Sequence, residues 1–229
     1  MIEFLFLDMD DTILDFQKAG DFAISGVLSE LGITPTPDAI ALYTRINLQQ
    51  WKRLERGELT LETVKQSGFA LLFQTMGVSG DAERCARRHE QLLAQGHWLL
   101  PGAEAALEAL SRRCRLFLAS NGTAAVQRSR IAGAGISRYF SQIFISQELG
   151  ANKPSPEFFA RCFARIPDFD PARAMIAGDS LTSDILGGKN AGIAACWVNT
   201  RHEPNLTAIH PDFEIEAISQ LEALLTTLA

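Results

Sequence analysis

The strongest constraint on the fold of this chain is a short, unbroken apolar run that recurs along the sequence and always ends in polar residues. Runs of this kind are typical of strands buried on both faces of a parallel sheet. Helical patterns with recognisable start signals separate the runs, such as Ser155-Pro156 and a possible capping box of Ser219 with Glu222. The alternation predicts an α/β protein with a doubly wound, mostly parallel sheet. The predicted strands are Phe4 to Leu7, Leu116 to Ala119, Ile143 to Ile145, Ala174 to Ala177 and Ala194 to Val198.

The stretch from about residue 16 to residue 98 departs from this alternation. It contains amphipathic helical patterns and no convincing strand run. Thr36-Pro37 is typical of a helix start, Leu42 and Ile46 share a helical spacing, and Thr60 can cap the next segment. We therefore expect residues 16–98 to form a helical cap inserted into an α/β core made of residues 1–15 and 99–229.

Composition excludes several classes of protein. Of the 229 residues, 47% are apolar and 21% are charged, as in an ordinary globular protein. No apolar segment reaches the length of a membrane span, and the N-terminus does not resemble a signal peptide. The four cysteines are scattered without a CxxC pair, and the formal charge of -6 disfavours a nucleic-acid polymer as partner. We expect a cytoplasmic protein with reduced thiols that binds neither membranes nor nucleic-acid polymers.

Three carboxylates crowd the end of the first predicted strand. Asp8, Asp10 and Asp11 fall within four residues, and like charges this close raise one another's pKa unless they share a cation or a proton. Short acidic turns are also common, so this motif alone fits a structural turn as well. We interpret Asp11 as structural.

Polar residues also follow the other predicted strands. Because the carboxyl ends of parallel strands meet at one edge of a sheet, we expect these side chains to lie together. Each has a structural alternative: Ser120 as a turn residue, Lys153 as a surface lysine before a proline, and Asp184 as a helix cap. Their joint occurrence in a fixed order favours a functional site. The residues are Ser120, Asn121, Lys153, Asp179 and Asp184.

Together these motifs resemble the haloacid dehalogenase superfamily, whose members are mostly phosphatases. The resemblance extends from Ile2 to about Trp197, and it implies that residues 16–98 are the helical cap of that superfamily. It also implies Mg²⁺ as cofactor, with Asp8, the backbone carbonyl of Asp10 and Asp179 as ligands and Asp184 in support. The motifs that carry it are Asp8-Met9-Asp10-Asp11-Thr12, Ser120-Asn121, Lys153, Gly178-Asp179 and Asp184.

The same resemblance implies a role for each group. Asp8 would attack the phosphate and form an aspartyl phosphate, while Asp10 would act as general acid and then general base. Ser120 and the amides around Asn121 would bind the phosphoryl oxygens. A phosphate dianion repels an attacking carboxylate, so Lys153 and a magnesium ion would have to offset that charge.

Other functions use similar residues. Dehalogenases of the superfamily lack the second aspartate, so Asp10 disfavours that chemistry. Phosphonatases need a cap lysine with a depressed pKa, and nothing in the sequence marks Lys18 or Lys52 as such a group. A phosphomutase shares the aspartyl phosphate and differs in where the phosphoryl group goes next. A phospho-accepting signalling module, a more distant alternative, is much shorter and has no helical cap.

A finer resemblance concerns the substrate. The runs Gly178 to Gly188, Ser120 to Gly122 and Cys196 to Asn199 are similar to the bacterial subgroup of pyrimidine-type 5′-nucleotidases, which implies a nucleoside monophosphate as the small phosphorylated metabolite. A sugar phosphate or another small phosphoester is the alternative. In the cap, Trp51 could stack on a base and Asn47 or Arg45 could hydrogen-bond it. Trp51 also fits a core position at helical spacing with its neighbouring leucines.

Overall fold

The computed structural model describes residues 1–228 and contains one parallel sheet. Its strands are β1 (Phe4–Leu7), β2 (Arg115–Ser120), β3 (Phe140–Ile145), β4 (Ala174–Gly178), β5 (Ala194–Val198) and β6 (Phe213–Ile215). They lie in the order β3-β2-β1-β4-β5-β6, and every neighbouring pair is parallel. The predicted α/β class is confirmed, and the first five strands lie where the apolar runs predicted them. The three-residue strand β6 was not predicted, because so short a run carries no clear signal.

Helices account for most of the remaining chain. The first four are α1 (Phe16–Glu30), α2 (Pro37–Glu55), α3 (Leu61–Met76) and α4 (Ala82–Leu93). The next six are α5 (Ala103–Ser111), α6 (Ala124–Gly133), α7 (Ser146–Leu149), α8 (Pro156–Phe163), α9 (Leu186–Ala191) and α10 (Leu221–Thr227). A π-helical segment, Leu181–Ile185, precedes α9.

Alternation along β1 places the core on both faces of the sheet. Leu5 and Leu7 pack on one side with residues of α5 and α10, while Phe4 and Phe6 pack on the other side with residues of α8. Successive side chains of a strand point to opposite faces, so an unbroken apolar run is buried on both. Helices therefore cover both faces, as in a doubly wound sheet.

Three of the four predicted helix caps are present. The hydroxyls of Thr36 and Thr60 accept hydrogen bonds from the first turns of α2 and α3, and Ser155 does the same for α8. The capping box predicted at Ser219 is wrong. A 3₁₀ turn at Ile218–Gln220 leads directly into α10, which has no side-chain cap.

Helices α1 to α4 have an apolar cluster of their own, which includes Ile24, Leu28 and Phe69. The two chain segments that join these helices to the sheet run side by side. Leu14 and Leu99 form an antiparallel bridge, and the N–H of Asp15 donates to the carbonyl of Trp98 at 2.9 Å. These contacts support the proposed division into residues 16–98 and the remaining core, which stays a prediction.

No helix within residues 1–228 is long and apolar enough to cross a membrane. The four cysteines are free thiols. The expected cytoplasmic location stays a prediction.

Two glycine substitutions test the packing of α9 against the sheet. A Cβ at Gly188 would meet Ile176 Cγ2 at 2.5 Å and Ala195 Cβ at 3.2 Å, whereas a Cβ at Gly20, inside α1, would meet nothing within 4 Å. We expect Gly188→Ala to lower the free energy of unfolding by about 1–3 kcal/mol through overpacking. Gly20→Ala should raise it by roughly 0.5–1 kcal/mol through helix propensity. Urea unfolding measures both, and an unchanged stability of Gly188→Ala would contradict the close contact.

Candidate active site

The predicted site residues meet at the carboxyl edge of the sheet. Asp8 follows β1, Ser120 ends β2 and Asp179 follows β4. Lys153 lies in the loop between α7 and α8, and Asp184 belongs to the π-helical segment. The parallel sheet thus brings together groups from four separate parts of the sequence, as the strand-end pattern predicted.

Lys153 is a fully buried ammonium ion with three acceptors. Its Nζ donates to Asp8 Oδ1 at 2.5 Å, to Asp184 Oδ1 at 2.6 Å and to the carbonyl of Ala119 at 2.6 Å. Burial disfavours the charged form, but the carboxylates of Asp184 and Asp8 outweigh it and raise the pKa of Lys153 above its ordinary value. The lysine therefore stays charged and holds the two aspartates in place.

The side chain of Asn121 holds the backbone of Lys153 in place. The side-chain amide donates to the Lys153 carbonyl at 2.9 Å and accepts from the Lys153 N–H at 2.9 Å. The side chain of Asn121 is therefore engaged inside the protein. A contribution of Asn121 to phosphate binding would have to come from its backbone.

Asp8, Asp179 and Asp184 form a compact carboxylate cluster, in which one oxygen from each lies within 4.8 Å of the others. Burial raises the pKa of Asp8 to about 7, because the attraction of Lys153 only partly offsets it and Asp184 and Asp10 raise it further. Burial, followed by the charges of Asp8 and Asp184, raises the pKa of Asp179 well above its ordinary value.

The charges of this cluster fit a divalent cation. Three ionised carboxylates against the ammonium of Lys153 leave two negative charges, which a divalent cation would neutralise. The donors are all oxygen atoms, the ligand type that Mg²⁺ prefers. Asp8, Asp179 and Asp184 are therefore the residues whose side chains could hold such an ion.

Asp10 lies apart from this cluster, and its carboxylate is turned toward α6. Arg130 Nη1 donates to Asp10 Oδ1 at 2.5 Å, and Gln127 Nε2 donates to Asp10 Oδ2 at 3.0 Å. Both carboxylate oxygens of Asp10 are thus engaged by side chains of α6. Sequence reasoning missed Gln127 and Arg130. Their i, i+3 spacing indicates one helix face, but nothing in the sequence showed that this face points into the site.

Asp11 and Thr12, the last two residues of the first motif, contact none of the other predicted site residues through side-chain hydrogen bonds. Asp11 accepts from the N–H groups of Phe16 and Gln17 and pairs with Arg201 at 2.6 Å, in keeping with a structural role. Thr12 Oγ1 is buried without a hydrogen-bond partner among the described residues.

Helix α2 of the predicted cap reaches the site through its last turn. Lys52 Nζ lies 2.5 Å from Thr182 Oγ1 and 3.2 Å from Ser180 Oγ, and Thr182 Oγ1 donates to Glu55 at 2.6 Å. Sequence reasoning missed this contact, since it joins positions about 130 residues apart. Lys52 Nζ is hydrogen-bonded to Glu55, and Lys18 Nζ lies 4.8 Å above the Trp98 ring.

The cap residues proposed to contact the substrate lie on α2, before its last turn. Arg45 is exposed, whereas Asn47 and Trp51 are partly buried, and none of the three side chains hydrogen-bonds another described residue. Of the two leucines at helical spacing with Trp51, Leu48 is 56% exposed whereas Leu54 is buried, so both interpretations of Trp51 stay open. Arg45, Leu48, Lys52 and Glu55 share one face of the helix by their spacing.

The parallel sheet, the helical insertion after its first strand and the strand-end carboxylates around a buried lysine define an α/β enzyme of the haloacid dehalogenase type. The family model described as haloacid dehalogenase-like hydrolase matches residues 2–192. The chain belongs to this family of hydrolases.

Three relatives are similar over nearly their whole length. YfnB, a HAD-hydrolase of Bacillus subtilis, is 35% identical over 96% of this chain and 94% of its own. Its magnesium-bound crystal structure, described as revealing interdomain movement, superposes with a TM-score of 0.93 over 98% of both chains. Pyrimidine 5′-nucleotidase PynA of Streptococcus pneumoniae is 36% identical over 96% of this chain and 93% of its own. Pyrimidine 5′-nucleotidase YjjG of Escherichia coli is 27% identical over 97% of each.

Burial of Asp179 and repulsion within the carboxylate cluster predict a pH-dependent stability in metal-free protein. The pKa of Asp179 is raised in the folded state, so the folded protein holds this proton more tightly than the unfolded chain and loses stability as pH rises above about 4. We expect Asp179→Asn to be more stable than wild type at pH 7.5, with a Tm difference of about 2–4 °C for each kcal/mol. The difference should shrink toward pH 4 when thermal unfolding is followed in a chelating buffer. A constant difference at all pH values would contradict a raised pKa of Asp179 in the folded state.

Proposed function

We propose that this protein is a Mg²⁺-dependent phosphomonoester hydrolase that acts through an aspartyl phosphate on nucleoside 5′-monophosphates. A single arrangement carries the proposal. Lys153 holds Asp8 within a carboxylate cluster suited to a divalent cation, while Asp10, two residues away, is kept outside that cluster. Nucleophile and proton donor thus have separate environments.

In the first step, a carboxylate oxygen of Asp8 attacks phosphorus in line with the leaving oxygen. The bond between Asp8 and phosphorus forms as the bond from phosphorus to the leaving oxygen breaks, and Asp10 gives its proton to that oxygen. The hydroxyl of Ser120 stands at the same edge of the sheet, where it can bind a phosphoryl oxygen. Lys153, whose three protons already have acceptors, acts on the phosphoryl group through its positive charge.

The second step returns the enzyme to its starting state. Asp10, now ionised, takes a proton from a water molecule, whose oxygen attacks the phosphorus of the aspartyl phosphate. The bond between phosphorus and Asp8 then breaks and inorganic phosphate leaves. Transfer to a second sugar hydroxyl instead of water would make the protein a phosphomutase.

For the metal, we propose Asp8, Asp179 and the backbone carbonyl of Asp10 as ligands, with Asp184 supporting the site through Lys153. When bound, Mg²⁺ supplies positive charge that offsets the repulsion between the carboxylates and a phosphate dianion. The pKa values of Asp8 and Asp179, raised by burial and mutual repulsion, support this assignment because these groups need a counter-charge to ionise together.

The nucleotide substrate is supported by the relatives and by the cap. PynA and YjjG are both named as pyrimidine 5′-nucleotidases. The part-exposed ring of Trp51 and the exposed side chain of Leu48 offer an apolar surface for a base near the end of α2 that contacts the site. Asn47 and Arg45 are the polar groups of this helix proposed to hydrogen-bond the base.

Phosphate release across a panel of nucleoside monophosphates, sugar phosphates and small phosphoesters tests the chemistry. We expect Mg²⁺-dependent turnover that chelation abolishes, and a loss on the order of 10³-fold or more in Asp8→Asn. Asp170→Asn, at the opposite edge of the sheet before β4, is the matched control and should remain active. Wild-type turnover in Asp8→Asn would rule out the proposed nucleophile.

Substitution of Trp51 tests the base contact. Stacking on an aromatic ring is worth about 1–3 kcal/mol, so Trp51→Ala should raise the KM for a nucleoside 5′-monophosphate by roughly 5- to 150-fold. The KM for ribose 5-phosphate, which has no base, should not change, and Trp51→Phe should retain most of the affinity. An equal effect on both substrates would assign Trp51 to the packing of the cap instead.

A further inference from the structure

A fully buried arginine holds Asp10 from the side of α6. The guanidinium of Arg130 donates from Nε to the carbonyl of Gly96 at 2.7 Å and from Nη1 to Asp10 Oδ1 at 2.5 Å. The same Nη1 lies 3.2 Å from Gln127 Oε1. The ring of Phe16 lies 5.6 Å from the guanidinium carbon. Arg130 thus has contacts on several sides, and its main ionic partner is Asp10.

Packing alone does not account for this arginine. Moving a charge from water into a protein interior costs several kcal/mol, and apolar side chains of similar volume are often at least as stable. Asp10 keeps 25% of its side chain exposed, and Nη2 of Arg130 has no partner among the described residues. The ion pair is therefore incompletely compensated, which favours a role in the site over a role in stability.

Arg130 also sets the direction of a hydrogen-bond chain. Because a guanidinium only donates, it requires the carbonyl oxygen of Gln127 to face it. The amide nitrogen of Gln127 then faces the other way, where it donates to Asp10 Oδ2 at 3.0 Å and to Ser120 Oγ at 2.8 Å. Ser120 Oγ accepts this hydrogen bond and donates its own proton to the carbonyl of Asn121 at 3.3 Å, a long contact that a phosphoryl oxygen would replace as acceptor.

We propose that Arg130 is a positioning residue for Asp10, with Gln127 as the link to Ser120. It fixes the carboxyl group of Asp10 at the place from which a proton reaches the leaving oxygen, and it acts only through Asp10 and Gln127. This inference rests on the proposed role of Asp10 as general acid. The sequence motifs did not identify Arg130 or Gln127.

The dependence of the rate on the leaving group tests this role. An alkoxide leaving from a nucleoside 5′-monophosphate needs a proton, whereas 4-nitrophenolate leaves without one. The ratio kcat/KM reports only steps up to cleavage of the phosphorus–oxygen bond, so hydrolysis of the aspartyl phosphate does not enter. We expect Arg130→Met to lower kcat/KM for the nucleotide by about 100-fold, the scale of general acid catalysis. For 4-nitrophenyl phosphate it should stay within about threefold of wild type.

Two further arginine variants complete the design. Arg128→Met is the matched control, since Arg128 lies on the same helix and pairs with Glu148 on the surface, and it should leave both substrates unaffected. Arg130→Lys retains the charge, but a single ammonium cannot reach Gly96, Gln127 and Asp10 in the fork geometry of arginine. It should show the same selective loss to a smaller degree, and it decides the question if Arg130→Met does not fold.

Asp10→Asn separates the two hypotheses. If Asp10→Asn loses activity selectively on the nucleotide while both Arg130 variants lose it equally on both substrates, or not at all, the positioning role is wrong and the proposed function stands. If Asp10→Asn itself hydrolyses both substrates at the wild-type rate, the general acid of the proposed function is wrong, and the inference about Arg130 is overturned with it.

Discussion

The rest of the site depends on one buried ammonium group. Lys153 uses three hydrogen bonds to join Asp8, Asp184 and the end of β2, so the proposed nucleophile and a carboxylate from a distant segment have fixed positions. A charge at this depth is tolerated only because each of its protons has an acceptor. The lysine offsets one of the three clustered carboxylates and leaves a net charge that suits a divalent cation.

The backbone of Gly178 lies very close to the carboxylate of Asp184, which bonds this lysine. A Cβ at Gly178 would lie 2.3 Å from Asp184 Cγ, so only glycine leaves room for that carboxylate beside β4. Asp184 also accepts from the N–H of Ser180 at 3.1 Å, which fixes its second oxygen. The missing side chain of Gly178 thus provides the space in which the carboxylate of Asp184 lies next to β4.

The sequence predicted the sheet and the groups at its edge because both carry local signals. An apolar run ending in Asp8 indicates a buried strand and a polar strand end at once, and parallel pairing then brings such ends together. Gln127 and Arg130 could not be predicted in this way, since a helix face shows its partner only after the fold is formed. The contact of Lys52 with Thr182 likewise depends on how the helical insertion lies on the sheet.

The segment that contains Asp184 also contacts helix α2. Leu181–Ile185 is π-helical, a rare conformation that is frequent at functional sites, and it lies between the carboxylate cluster and the last turn of α2. On one side Asp184 bonds Lys153, and on the other Thr182 bonds Lys52 and Glu55. The same five-residue segment therefore contacts both the carboxylate cluster and the last turn of α2.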